Sequence, residues 1–137
     1  MNLKMLLSVY AVLMAVVGAG LLVVPSAFMS LYLVPPLDVL ETGLARIIGA
    51  VSIGLGVMCW TARTAEASIA RDALILGLTV VNGLSAVVAV LAGMVAGGNW
   101  SIWADAALLG LFMVLFIVIG RQAMSAPTAG GGTSPGM

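Results

Sequence analysis

Four long apolar stretches, residues 5–24, 39–60, 73–96 and 101–120, take up nearly all of a chain of 137 residues. A bilayer hydrocarbon core about 30 Å thick needs roughly 20 predominantly apolar residues per helix. Each stretch meets or approaches that length, so the sequence predicts an all-α integral membrane bundle of four transmembrane helices. Composition agrees. The chain is 63% hydrophobic and 7% charged, against roughly 45–50% and 25% in soluble domains. Four spans in this length leave no room for an extramembrane domain, so any function has to reside in the spans, their connections or a partner. We expect a transmembrane domain over 1–122 and a disordered cytoplasmic tail over 123–137, where Gly, Pro, Ser and Thr offer too little apolar surface to offset ordering entropy.

The sequence holds no histidine, which removes the usual haem ligand and the commonest metal ligand and proton relay. Its one cysteine, Cys59, has no internal disulfide partner and reads as a small apolar packing residue. Net charge is zero without a basic run, so nothing points to nucleic acid. The first span has an apolar core of about twenty residues behind a single lysine, Lys4, longer than the roughly 7–15 of a signal peptide. An uncleaved first helix is expected. Lys4, Arg63, Arg71 and Arg121 fall at one set of helix ends and Arg46 at the other. Because basic residues of short loops are retained in the cytoplasm, both termini are expected there.

The connection 25–38 stays apolar through Phe28, Met29, Leu31 and Tyr32, with Pro25 and Pro35-Pro36 breaking the helices on either side. It reads as a short interfacial segment, helical over 26–33, with Tyr32 at headgroup level. A lid over a site between helices is the other reading. The turn 97–99 is glycine-rich and is followed by Trp100 and Trp103 as an aromatic anchor.

Small residues recur inside the spans at steps of three and four. Ala15 and Gly18 lie on such a stripe in the first, Ser52, Gly49 and Gly56 in the second, Thr79, Asn82, Ala86 and Gly93 in the third. Lipid supplies no hydrophobic drive between helices, so close backbone approach along small residues provides the packing contact. These stripes are expected to serve as seams within one bundle or between copies of it. The fourth span is bulkier through Leu109, Phe112, Met113 and Phe116, and either completes the bundle from outside or faces lipid and a partner.

Ionisable groups within spans cost about 2.5–3.5 kcal/mol at the bilayer centre, which makes each a functional candidate. Arg46 and Asp105 fall at matched depth in different spans and are expected to meet. Such a pair would act as a staple, or Arg46 would stand at the mouth of an outer pocket with Trp103 and Tyr32, facing a lipid headgroup, a quinone carbonyl or a small anion. Asn82, with Ser85 and Thr79 three residues to either side, needs partners for its amide and is expected, with Ser52, to make interhelical polar contacts. Tyr10 is expected to turn its hydroxyl toward the bundle or an adjacent carbonyl. No catalytic or metal-binding cluster is legible, and no cofactor is expected.

The run Leu44-Ala45-Arg46-Ile47-Ile48-Gly49-Ala50, continuing through Gly54-Leu55-Gly56 to Trp60 and Ala62-Arg63, resembles small bacterial four-helix membrane proteins of uncharacterised function, loosely similar to the DoxX-like group. The resemblance covers roughly residues 1–120, including the 25–32 link. It implies four spans with an arginine early in the second; some DoxX relatives are similar to accessory subunits of quinone-linked oxidoreductases. The sequence reading is thus a non-enzymatic protein of the bacterial inner membrane, an accessory or scaffold subunit of a larger assembly. Its alternatives are a small oligomeric transporter or channel, and a quinone- or lipid-binding subunit of a redox complex. The bilayer, a larger complex or a second copy are the expected partners.

Overall fold

A computed structural model describes residues 2–32, 36–95 and 100–124. The expected turn at 97–99, residues 33–35 and the expected tail from 125 onward lie outside them; the first two residues of that 123–137 tail, Ala123 and Met124, belong instead to the last helix. Helix α1 spans Leu3–Val23, and its first turn is capped by the Asn2 side chain, which accepts from the Met5 N–H at 2.9 Å. A proline at the first helical position then opens the short helix α2, Pro25–Met29, followed by a 3₁₀ turn at Ser30–Tyr32. The interfacial segment is therefore helical, as its sequence suggests.

Helix α3, Val39–Ala62, starts on a capping box: the Glu41 N–H donates to Asp38 Oδ1 at 2.7 Å and the Asp38 N–H to Glu41 Oε2 at 2.9 Å. Glu41 is committed to this cap rather than to Arg46. Helix α4, Ile69–Val95, begins about one turn before its apolar stretch, with Ser68 Oγ accepting from the Arg71 N–H and Asp72 in the positive first turn. Helix α5 spans Trp100–Met124. All described regular structure is helical, and α1, α3, α4 and α5 are each long and apolar enough to cross a membrane. The protein is a multi-pass membrane bundle.

Two helix pairs make up the bundle. In the first, α1 and α3 approach along their small-residue stripes. A methyl group built on Gly18 would stand 2.7 Å from the Gly49 carbonyl, and one on Gly49 2.7 Å from the Gly18 carbonyl. Farther along, a methyl on Gly56 would meet the Ala11 carbonyl at 3.0 Å and the Ala15 nitrogen at 3.5 Å. No side chain larger than hydrogen fits between these backbones at the first two positions. In the second pair, α4 and α5 pack with Met113 over Gly83, Trp103 over Gly93 and Ile75 over Gly120.

The pairs join through α1 and α5. The Tyr10 ring sits edge-on to Phe112 and Phe116, with centroids 5.0 and 5.3 Å apart. Leu6, Leu7, Cys59, Leu78 and Phe116 complete a buried core at the end of the bundle that holds both described termini. Helix α5 is thus a core element: Phe112 and Phe116 face inward while Leu111, Val114 and Val118 face outward. At that same end Arg71 donates to the carbonyls of Ala65 and Ala123, both at 3.3 Å, tying the α3–α4 connection to the last turn of α5. Helices α3 and α4 have no seam of this kind. An open groove lined by Leu55, Met58, Leu74, Gly77 and Val81 runs between them.

Candidate functional site: a cavity between the helix pairs

The bundle is filled at the end with the termini and hollow toward the end with α2. Phe112 and Phe116 occupy the space between the pairs at the lower level. One and two turns farther along, α5 offers Leu109 and Asp105, and α4 places the small residues Ser85 and Ala89 among its lining residues. The α1–α3 seam holds its own backbones together and contributes little bulk inward. The result is a cavity of about 640 Å³, within the 300–1,000 Å³ typical of small-molecule sites. Its walls are mostly aliphatic. Phe28, Met29 and Tyr32 cover its end, and the Phe28 ring rests against Gly20 of α1. Leu55 and Val81 line both the cavity and the α3–α4 groove, so the hollow continues sideways between those helices toward lipid.

Polar groups occur at three levels. At the floor, Asn82 is fully buried and Tyr10 is 2% exposed. Asn82 Nδ2 donates to the Leu78 carbonyl at 2.8 Å and to the Tyr10 hydroxyl at 3.1 Å, while Oδ1 has no hydrogen-bond partner among the described residues. Ser52 and Ser85 stand on the walls; the Ser52 hydroxyl donates to the Ile48 carbonyl at 2.9 Å. At the rim, Asp105 and Tyr32 share the cavity and two adjoining hollows. Burial, and after it the nearby Asp105 carboxylate, hold the Tyr32 phenol above its usual range.

The residues singled out in the sequence separate into three groups. Tyr32, Asp105, Asn82, Ser85 and Ser52 come together around the cavity. Gly18, Gly49, Gly56 and Ala15 lie along the α1–α3 seam, and Gly93 beneath Trp103. Ala86 is half-buried on α4, and the Thr79 hydroxyl donates to the Ile75 carbonyl of its own helix at 2.8 Å.

Arg46 and Trp103 stand away from the cavity. The expected contact of Arg46 with Asp105 does not form: α3 turns Arg46 outward, where it is exposed, and no ion pair joins the two among the described residues. The rotation follows from the seam. Ala45, Gly49, Ser52 and Gly56 are the buried positions of α3, which leaves Arg46 about 100° from Ala45 and three residues before Gly49 on the other side. Position along each helix could be counted from the sequence, and the face could not. Trp103 has its ring over Gly93 instead of in the hollow. The lid reading of the 25–38 connection includes Phe28, which lines the cavity; sequence reasoning missed Phe112 as part of the floor, for which an aromatic residue at the level of a buried tyrosine was the available signal.

The family described as a domain of unknown function, DUF8292, matches residues 1–122. The chain belongs to this family. The matched region takes in α1, α3 and α4, α5 up to Gln122, the α2 cover and every residue of the cavity. Neither a curated protein nor a solved structure matches the chain.

Proposed function

We propose that the protein is a non-enzymatic membrane protein that holds one amphiphilic molecule in the cavity between its helix pairs. The observation carrying this reading is an apolar hollow with polar groups at its floor and rim and a lateral groove between α3 and α4. A lipid-like molecule could enter along that groove without leaving the bilayer. The lack of histidine in the sequence and the aliphatic walls favour binding over catalysis. This develops the quinone- or lipid-binding alternative of the sequence reading. We place the protein in a bacterial cytoplasmic membrane with both termini inside, on the support of Lys4, Arg63, Arg71 and Arg121 at one end of the bundle against Arg46 toward the other. The loose DoxX-like resemblance belongs to the same proposal.

Native mass spectrometry of gently solubilised protein tests the reading. The wild-type chain should retain one amphiphile, and Ser85→Phe, which fills the cavity from its wall, should lose it while lipids bound on the outside persist. A wild-type chain that carries no more bound mass than Ser85→Phe would refute it.

An accessory subunit of a larger assembly is the second reading, favoured by Arg46. Its guanidinium is exposed on α3 about 10 Å from the start of the helix at 1.5 Å per residue, where a carboxylate on a partner would offset the cost of a charge in the membrane. Native gels of wild-type and Arg46→Gln membranes test it: a large complex that shrinks on substitution supports the subunit, and unchanged migration of both at monomer size counts against it.

A further inference from the structure

We infer that the floor of the cavity reads an uncharged hydroxyl group on the bound molecule, through Asn82 and Tyr10. The inference rests on the cavity binding an amphiphile and adds which chemical group that molecule carries inward. Asn82 lies thirteen residues from each end of α4, so about 20 Å of helix separates it from either end. No water-facing surface reaches it. Both of its amide hydrogens are committed, to the Leu78 carbonyl and to the Tyr10 oxygen. The orientation of the amide is set by Leu78, because a carbonyl only accepts and therefore has to face the NH₂ group.

Two complementary capacities are left at the floor. Asn82 Oδ1 is a buried acceptor without a donor, and the Tyr10 hydroxyl, which accepts from Asn82, retains its own hydrogen to donate. Both residues line the cavity but are closed over in this structure, so a ligand hydroxyl that displaces the side chains above them would satisfy both at once, giving its hydrogen to Oδ1 and taking that of Tyr10. A carbonyl or ether oxygen can only accept, so it would leave Oδ1 orphaned, and a buried acceptor without a partner is costly. Charged groups are disfavoured at this depth. The ligand class is therefore a long apolar alcohol or phenol, inserted hydroxyl first, with its body between Leu109, Leu13 and Val51 and its far end beneath Phe28 and Tyr32.

The test compares each probe with its own methyl ether, which keeps the shape and the acceptor and removes the donor. Hexadecan-1-ol represents aliphatic alcohols and 4-nonylphenol aromatic ones. Binding is measured on the full chain in nanodiscs by displacement of a radiolabelled copy of each probe. The expected result is that at least one hydroxyl compound binds about tenfold or more tightly than its ether, and the arm with the larger ratio identifies the class. Asn82→Leu should bring that ratio to about one with ether binding retained. Should Asn82→Leu not fold, Tyr10→Phe keeps the ring between Phe112 and Phe116 and should lower the ratio without abolishing it. Equal binding of alcohol and ether in both arms, or a ratio unchanged in the variants, overturns the hydroxyl inference while leaving the cavity reading in place. If neither alcohols nor ethers bind, both fall.

Discussion

Replacing Gly49 by alanine isolates the steric requirement of the α1–α3 seam. The added methyl would lie 2.7 Å from the Gly18 carbonyl oxygen, 2.8 Å from the Leu22 nitrogen and 3.1 Å from the Leu21 Cβ. Close C–H···O contacts run about 3.3–3.6 Å, and the first two neighbours are backbone that cannot rotate away. The helices must therefore separate by roughly 0.6 Å, a gap that forfeits a quarter to a half of each dispersion contact along the seam. Overpacking of this kind costs about 1–3 kcal/mol. Gly→Ala also brings a helix-propensity gain of up to about 1 kcal/mol, which would blur a single measurement.

Gly54, on the same helix with nothing within 4 Å of its would-be methyl, supplies the control. Propensity cancels between Gly49→Ala and Gly54→Ala, so their difference is the steric cost, about 1–3 kcal/mol in favour of Gly54→Ala. The assay is already in the molecule. Cys59 is the sole cysteine and fully buried, so maleimide labelling across a sodium dodecyl sulfate titration in mixed micelles follows opening of the core. Gly49→Ala opening at the same or a higher detergent fraction than Gly54→Ala would refute the close-approach argument.

Phe116→Ala should destabilise the bundle more than the seam variant, by about 3–5 kcal/mol, because the ring is 1% exposed and joins the helix pairs through Tyr10; the Cys59 labelling midpoint checks it. Asp38→Ala removes one bond of the capping box directly and the setting of the other, costing about 0.5–2 kcal/mol, and should speed amide exchange selectively over the first turn of α3. Tyr32 should titrate above the usual 10.0 when followed by ultraviolet difference absorbance in a Tyr10→Phe background. The folded chain then keeps a proton that the unfolded chain releases, so stability falls as pH rises from about 10 toward the folded pKa. Asp105→Asn should lower that pKa only part of the way, since burial is the larger cause; a value unchanged by the substitution would place Asp105 too far away to act.

Span number, the helical interfacial segment and the packing stripes were legible because each depends on local sequence. Hydropathy over twenty residues reports solvent, Pro25 and the Asp38–Glu41 box mark helix ends, and a glycine stripe shows where backbones can approach. Arg46 shows where that legibility stops. Its depth could be counted along the helix, yet its direction depended on which face of α3 the α1 seam would claim, and that is a property of two helices together. Asn82 shows the same boundary from the other side. Its need for partners was plain from its place in a span, but that Tyr10 and Leu78 would take both amide hydrogens and leave Oδ1 without a partner depended on α1 and α4 meeting.

The sequence by itself determined the solvent, the four crossings and the stripes that let α1 and α3 close on each other, because hydrophobic length and side-chain size act within one segment. Only the tertiary structure decided that α3 and α4 would stay apart, that Phe112 and Phe116 would fill one end of the bundle alone, and that a polar floor would lie beneath an apolar hollow. The physical reason is that a cavity is what remains after every helix pair has satisfied its own packing, so no single segment encodes it.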